Sequence, residues 1–217
     1  MDLHLYLIDE RTLHFPSGRS ARAPRALVRR PSVLEGAPLP FVEYAASQPP
    51  PHNGINAIEP VRADETMQQL TRRIWQHYSR FRLNMIRICC HSSDVELQFG
   101  AGLRTDADAR AFRLFRGMWF SGPGVYRLQE PHIEVHGCSA GRLFVLQNLA
   151  DHAGVPVLAG SRVIVMDGGR AEYAGQVADQ NFLFEGPVRR FEPAPTSRAT
   201  GGEIDRIMSE PLQRGGR

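Results

Sequence analysis

The sequence predicts an α/β fold built on a mostly parallel β-sheet. Strand-like and helix-like segments alternate between residues 85 and 159 in the order strand, helix, strand, helix, strand. Short strands that are joined by helices pair in parallel through right-handed crossovers. A helical periodicity precedes this run, and a glycine-containing turn at residues 167–169 favours a C-terminal β-hairpin.

The first elements are a strand and an amphipathic helix. Residues 3–8 are mostly aliphatic or aromatic and predict the first strand. From about residue 64 to residue 81, apolar residues recur at intervals of three and four, which is the spacing of one helix face. These residues are Met67, Leu70, Ile74, Tyr78 and Phe81. Residues 85–90 are rich in β-branched and apolar side chains and predict a strand, and a shorter strand is predicted over 95–99.

Two more helices and the strand between them complete the alternating pattern. One helix is predicted to begin at Thr105, whose hydroxyl can cap the backbone while Asp108 reaches back to it. Its buried face is expected to contain Ala109, Phe112, Phe115 and Trp119. Residues 133–136 predict a strand, and the chain then turns into a helix that ends at Gly154 in a left-handed cap. The inner face of that helix is expected to contain Leu143, Leu146, Leu149 and Ala150.

The final predicted elements are a strand and the hairpin. Residues 155–159 predict a strand in which Pro156 fits an edge, or the first residues of the strand, better than a central position. Residues 162–166 and 171–174 predict the two strands of the hairpin.

Length and composition indicate one principal domain. The 217 residues, of which 42% are hydrophobic, are enough to bury one core. We expect a single α/β domain over residues 1–192, in which residues 11–55 form an arginine- and proline-rich insertion or arm. Residues 193–217 are expected to be a disordered tail, with a short helical possibility around 204–208.

The basic residues form a cluster near the start of the chain. All 26 of them are arginines, and six lie between residues 11 and 30. Such a cluster is one form of a nucleic-acid-binding arm. Phe15 is the only aromatic residue that interleaves these arginines and could stack on a base. A solvated arm is therefore the favoured interpretation, and nucleic acid is not an expected partner.

Three features predict where the protein resides. No stretch approaches the roughly 18 consecutive apolar residues of a membrane span, and the first residues lack the basic segment of a secretory signal. The three cysteines, Cys89, Cys90 and Cys138, are an odd number with two adjacent, which is a poor disulfide framework. We expect a cytoplasmic protein with free thiols and no membrane partner, or one exported without a cleaved signal.

His91 and Cys138 follow two successive strands of the predicted parallel sheet. The carboxyl ends of such strands share one edge, and neighbouring strands lie about 4.8 Å apart. Cys138 also precedes a helix, whose N-terminal end favours a thiolate, and a nearby imidazole can take the thiol proton. The pattern predicts a nucleophile and its base. A buried cysteine and a hydrogen-bonded loop histidine are the alternative interpretation of the same residues.

The segment from about residue 87 to residue 160 resembles the caspase-like cysteine peptidase superfamily, which includes gingipains and separases. The likeness is greatest to bacterial caspase-like domains of largely unknown function. The matching pieces are IRICCH (86–91), VELQFG (95–100), IEVHGC (133–138), FVLQNL (144–149) and GVPV (154–157). The separation of His91 and Cys138, 138 − 91 = 47 residues, agrees with the interval of about 50 in caspases.

The resemblance implies a caspase-like three-layer α/β/α fold and an endopeptidase that needs neither a cofactor nor a metal. Its substrates would be proteins or peptides, hydrolysed through a thioacyl intermediate. It makes Cys138 the nucleophile and His91 the general base or acid. Backbone amides at Ser92, Gly137 and Cys138 would be the oxyanion donors. Candidates for a pocket that favours a basic substrate side chain are Asp94, Glu96 and Asp167.

Two alternatives stay open. Ser92 follows the histidine where the family usually has glycine, because the backbone there must approach the scissile carbonyl closely. This departure favours a catalytically inactive scaffold or protein-interaction module. A zinc site is the weaker alternative, because consecutive strand residues point to opposite faces and the ligand spacing is not a standard one. Its ligands would come from Cys89, Cys90, His91, His136 and Cys138.

Overall fold

The structure is a computed structural model of the 217-residue chain. The residues it describes are 1–13, 45, 48–51, 53–93, 95–119, 131–137, 140–161, 165–167, 170–173, 176–177 and 188–194. The predicted tail beyond residue 194 and most of the predicted arm lie outside these residues.

The described chain forms an α/β fold. Its strands are β1 (Asp2–Asp9), β2 (Gly54–Val61), β3 (Arg82–Cys89), β4 (His91–Ser92), β5 (Leu97–Gln98), β6 (His132–His136), β7 (Val157–Gly160), β8 (Val165–Asp167), β9 (Arg170–Tyr173), β10 (Gln176–Val177) and β11 (Val188–Phe191). Its α-helices are α1 (Met67–Tyr78), α2 (Asp106–Arg110), α3 (Arg116–Trp119) and α4 (Val145–Ala153). Short 3₁₀ helices lie at Glu10–Leu13, Ala111–Phe115 and Ala140–Arg142.

The central sheet has six strands in the order β11-β7-β6-β3-β1-β2. All neighbouring strands in it are parallel except β11, which pairs antiparallel with β7. The prediction of a mostly parallel sheet is therefore confirmed, including the parallel sequence of β3, β6 and β7. No helix in the described part of the chain has the length and apolar character needed to cross a membrane.

Both faces of the sheet are buried. Leu3, Leu5 and Leu7 of β1 belong to the core shared with the helices, whereas Tyr6 and Ile8 point to the other face. All five are at most 1% exposed. Because neither face is open to water at β1, this strand carries a nearly continuous apolar run from Leu5 to Ile8 instead of a strict alternation.

The predicted α1 face is confirmed, and the helix begins with a capping box. Thr66 accepts a hydrogen bond from the backbone N–H of Gln69 at 3.3 Å, and the side chain of Gln69 accepts one from the Thr66 N–H at 2.9 Å. Two orphan backbone donors at the helix start are thereby satisfied.

The helix predicted from Thr105 begins as expected but does not continue as one α-helix. The capping box between Thr105 and Asp108 is present, and the predicted buried face is fully buried. After Arg110 the chain continues as a 3₁₀ helix and then as α3. Three-residue intervals separate the first three members of that face, which matches the period of a 3₁₀ helix. These members are Ala109, Phe112 and Phe115.

The cap, strand and hairpin predicted for the later part of the chain are present. Gly154 ends α4 with φ 73°, the predicted left-handed cap. Pro156 directly precedes β7, and Asp167 pairs with Arg170 in the predicted hairpin. The sequence did not predict four of the described strands: the short β4 and β10, and the two edges of the central sheet, β2 and β11. Pro60 within β2 is tolerated because an edge strand leaves one side of its backbone unpaired.

Candidate functional site

The carboxyl ends of β3 and β6 bring two of the predicted site segments together. Cys89 pairs in register with His136, and the next backbone amide, that of Cys90, donates to the His136 carbonyl at 3.1 Å. His91 follows on one strand and Gly137 on the other. Cys138, the predicted nucleophile, and Asp94 lie outside the described residues.

His91 lies in a short hairpin at this edge of the sheet. β4 pairs antiparallel with β5, so that His91 lies opposite Gln98 and Ser92 opposite Leu97. The turn is closed by Ser93, whose N–H donates to the Glu96 carbonyl at 2.9 Å. The His91 side chain is half-buried, and its backbone has a defined strand partner. The predicted strand over 95–99 is thus reduced to Leu97–Gln98.

The ladder of this hairpin fixes the direction of the Ser92 amide. Leu97 exchanges both backbone hydrogen bonds with Leu103, at 3.2 and 3.0 Å, so its polar groups point away from Ser92. Ser92 and Leu97 therefore form a non-hydrogen-bonded pair, in which each residue directs its N–H outward. Ser92 therefore directs its N–H away from β5. This is the side on which the Cys90 N–H donates to the carbonyl of His136, the last residue of β6.

Gly137 allows the two strand ends to touch. A Cβ atom on residue 137 would lie 3.2 Å from Ser92 Oγ and 3.3 Å from both Ser92 Cβ and the Cys90 carbonyl oxygen. These distances are at the tight limit of ordinary contacts, so only glycine fits without displacement. The Ser92 side chain thus packs directly on the residue that precedes Cys138.

The loop after Gly137 is also packed against the end of β7. A Cβ atom on Gly141 would lie 2.8 Å from the Ala159 carbonyl oxygen, and the amide of Ala140 donates to the Gly137 carbonyl at 3.1 Å. The α-helix itself starts only at Val145, 145 − 138 = 7 residues after Cys138. The chain after Cys138 thus leads into a helix, as predicted, but the α-helix does not begin directly at the cysteine. A 3₁₀ turn intervenes, and the effect of a helix end falls off within one turn.

A buried polar network that the sequence did not predict lies on the second face of the sheet, the face to which Tyr6 and Ile8 point. Arg87 forms an ion pair with Glu134, its partner in the register of β3 and β6, and donates to the Tyr6 hydroxyl at 3.1 Å. The Nε2 atoms of His132 and His136 lie 3.1 and 3.2 Å from the Glu134 carboxylate. The signal for this network in the sequence was a charged residue between apolar neighbours in each of the two strands, Arg87 between Ile86 and Ile88, and Glu134 between Ile133 and Val135.

The network keeps Glu134 ionised. Burial alone would raise the pKa of Glu134, but hydrogen bonds from His132 and His136 and the charge of Arg87 hold that pKa well below its usual range. Burial raises the pKa of Tyr6 to about 12. Burial, assisted by the charge of Arg87, lowers the pKa of His4 to about 4. At neutral pH His4 and Tyr6 are therefore uncharged, and the Glu134 carboxylate carries its charge beside Arg87.

The two described cysteines differ from a nucleophile in their surroundings. Cys89 is fully buried on the second face, and burial raises the pKa of its thiol strongly. Cys90 is 3% exposed and belongs to the core on the helix side. Their side chains point to opposite faces of the sheet, as those of consecutive strand residues do, so they do not converge on one metal ion. No group of three metal-ligating side chains occurs among the described residues.

The predicted pocket residues lie in different places. Glu96 is in the turn of the β4–β5 hairpin, with its carboxylate 3.4 Å from an Arg104 guanidinium nitrogen. Asp167 is the last residue of β8, in the separate three-stranded sheet β8-β9-β10. The charge of Glu96 is thus partly offset by an arginine of the same chain.

No protein-family model matches the chain, and no curated protein matches it.

The packing of Gly137 on Ser92 makes a stability prediction. We expect Gly137→Ala to destabilise the protein by about 1–3 kcal/mol, because the added methyl group overpacks the contact. Ser92→Gly in the same chain should recover part of this loss, since two of the three closest atoms belong to Ser92. Urea unfolding of both single variants and the double variant measures the coupling. Strictly additive losses would show that the two residues do not touch.

The buried ion pair makes a second prediction, for Glu134→Gln. Removing one partner of a buried pair leaves the other charge uncompensated and costs about 3–5 kcal/mol. The matched control is Asp64→Asn, which breaks the exposed pair with Arg62 and should cost less than about 1 kcal/mol. Urea unfolding at neutral pH gives both values, and equal losses would contradict the prediction.

The same pair predicts how stability depends on pH. Because the pKa of Glu134 is lower in the folded than in the unfolded protein, its contribution is complete above the unfolded value of about 4.3. It is lost as the pH falls from there through the folded value. The stability difference between the wild type and Glu134→Gln should therefore be largest at neutral pH and shrink in acid. A difference that does not change between pH 7 and pH 3 would contradict this.

Proposed function

We propose that the protein is a caspase-like cysteine peptidase in which His91 and Cys138 form the catalytic dyad. The single observation that carries the proposal is the contact between the end of β3 and the end of β6. Ser92, next to His91, packs on Gly137, next to Cys138. The mostly parallel sheet and the adjacency of these two strands support a caspase-like fold as part of the same proposal.

The proposed reaction has two steps. The Cys138 thiolate attacks the carbonyl carbon of the scissile bond, and the C–N bond breaks as the departing amine takes a proton from the His91 imidazolium. This leaves a thioester between Cys138 and the acyl part of the substrate. A water molecule then loses a proton to His91 and attacks the thioester, which releases the carboxylic acid and restores the Cys138 thiolate and the His91 imidazolium.

The direction of the Ser92 amide supports an oxyanion donor at this position. A serine keeps the backbone N–H that the family's glycine supplies, and the β4–β5 ladder directs that N–H toward the side where β6 ends. A donor that is fixed by the backbone needs no reorganisation when the oxyanion forms. The exchange of glycine for serine therefore changes the space beside the site and leaves the number of donors unchanged.

The other cysteines do not compete for the role. Cys89 and Cys90 are buried, and a thiolate is strongly disfavoured at Cys89.

One observation favours the second candidate function, an inactive scaffold or protein-interaction module. The side chain of Ser92 occupies space over Gly137 that a glycine at position 92 would leave open. If a substrate carbonyl needs that space, the caspase-like sheet remains as a scaffold without peptidase activity.

Thiol reactivity tests the dyad without knowledge of the substrate. We expect iodoacetamide to alkylate Cys138 much faster than Cys89 or Cys90, with a thiolate pKa below the reference of about 8.5. His91→Ala should raise that pKa and slow the reaction. His77→Ala, at an exposed histidine of α1, is the matched control and should change neither quantity. Peptide mass spectrometry across a pH series reads out each cysteine separately.

Hydrolysis of a mixed peptide library separates the two candidate functions. Cleavage that disappears in Cys138→Ser supports the peptidase. The dyad proposal would be wrong if Cys138 is inert toward iodoacetamide and its alkylation rate is the same in His91→Ala. Cleavage that appears only in Ser92→Gly would identify the serine as the block and support the scaffold.

A further inference from the structure

We propose that Arg11 and Asp9 clamp the hairpin that carries His91, which makes Arg11 a positioning residue for the reaction. This inference rests on the proposed function and assigns a role to residues outside the dyad and its oxyanion donors. Arg11 touches neither the substrate nor the reacting atoms in this role. It acts through the backbone of the hairpin.

The clamp is built at the end of β1, the strand next to β3. The fully buried Asp9 carboxylate accepts hydrogen bonds from the Arg11 backbone N–H at 2.9 Å and from Arg11 Nε and Nη2, both at 2.8 Å. The same carboxylate accepts one from the Gly100 N–H at 2.8 Å. Arg11 Nη2 donates to the Gly100 carbonyl at 2.7 Å. Side chains from the end of β1 thus bind both backbone polar groups of Gly100. Arg11 binds the carbonyl, and Asp9, 91 positions earlier in the chain, binds the amide.

Position 100 has room for glycine only. Its φ is 58°, and a Cβ atom there would lie 2.4 Å from the Glu65 carbonyl oxygen. The following amide, that of Ala101, donates to the same Glu65 carbonyl at 2.8 Å. The chain just beyond β5 is therefore anchored to β1 on one side and to the loop before α1 on the other.

This anchor contributes to the position of His91. Gly100 comes two residues after Gln98, the strand partner of His91. An isolated two-stranded hairpin is marginally stable at best, and this one has only two residue pairs. Its orientation therefore depends on contacts outside its own ladder, which are the core packing of Leu97, its bridge to Leu103 and the clamp on Gly100. The clamp holds the hairpin from the side of β1. Ser92, on the other side of the hairpin, contacts Gly137 at the end of β6.

The charges explain why an arginine is needed. Asp9 is fully buried, so its carboxylate requires several donors, and the Arg11 side chain is 35% exposed. A guanidinium can bond both carboxylate oxygens and still reach the Gly100 carbonyl, whereas a lysine ammonium is a single point charge. Because Arg11 is partly exposed, its removal opens the position to water and leaves the apolar core intact.

The test compares the Cys138 alkylation profile of Arg11→Ala with that of a matched variant. Arg62→Ala is the control, because Arg62 also follows a strand at this edge and pairs with an aspartate two residues away, at 3.1 Å. We expect Arg11→Ala to slow Cys138 alkylation at pH 7 by on the order of tenfold or more, since a misplacement of about 1 Å can cost about 10²-fold. The thiolate pKa should move toward that of His91→Ala. Arg62→Ala should change neither.

The outcomes separate this inference from the function on which it rests. If His91→Ala alters the Cys138 profile and Arg11→Ala does not, the clamp inference is overturned and the dyad stands. If neither alters it, the dyad fails first and the clamp has nothing to position. A loss of melting temperature in Arg11→Ala with an unchanged pH profile would likewise leave a purely structural role and overturn the inference.

A second variant covers the case in which Arg11→Ala does not fold. Arg11→Lys keeps the aliphatic stem and the positive charge beside Asp9 but cannot bond Asp9 and Gly100 in a fork. We expect it to fold and to show intermediate slowing of Cys138 alkylation. A wild-type profile in Arg11→Lys would overturn the clamp geometry.

Discussion

The buried ion pair between Arg87 and Glu134 sets the register of the two strands on which the candidate site depends. The two residues lie directly opposite each other in β3 and β6. A slip by one position would turn their side chains to the apolar face and leave the charges unpaired there. With the register fixed, Cys89 meets His136, and the chain segments that follow leave the sheet at the same level.

The candidate site is held at that level mainly by backbone contacts from several strand ends. The β4–β5 hairpin is bound at two points. Gly100 is hydrogen-bonded to Asp9 at the end of β1, and Ser92 packs on Gly137 at the end of β6. The loop after Gly137 is pressed in turn on the end of β7. Three glycines make these approaches possible, because each lies where a Cβ atom would meet a carbonyl oxygen or a side chain.

Burial assigns different tasks to residues of the same type. Cys89 and Cys90 serve as core side chains, which leaves Cys138 as the one cysteine for which a reactive thiol is proposed. Similarly, His132 and His136 support the Glu134 carboxylate, whereas His91 stands at the sheet edge in a hairpin of its own. The zinc hypothesis grouped His91 and His136 with the cysteines by sequence proximity, but alternation along the strands separates them.

The sequence by itself determined the features that depend on neighbours within a few residues. These are the α1 face, the capping boxes at Thr66 and Thr105, and the left-handed cap at Gly154; of the two capping boxes, only that at Thr105 was predicted. The parallel pairing of β3, β6 and β7 was predicted in another way, from the rule that strands joined by helices pair in parallel. Only the tertiary structure decided the edge strands β2 and β11, the Arg87 to Glu134 pair and the Asp9 to Gly100 contact. The last two join residues 47 and 91 positions apart. Local spacing carries no information about such partners, because which strands become neighbours is settled by the packing of the whole sheet.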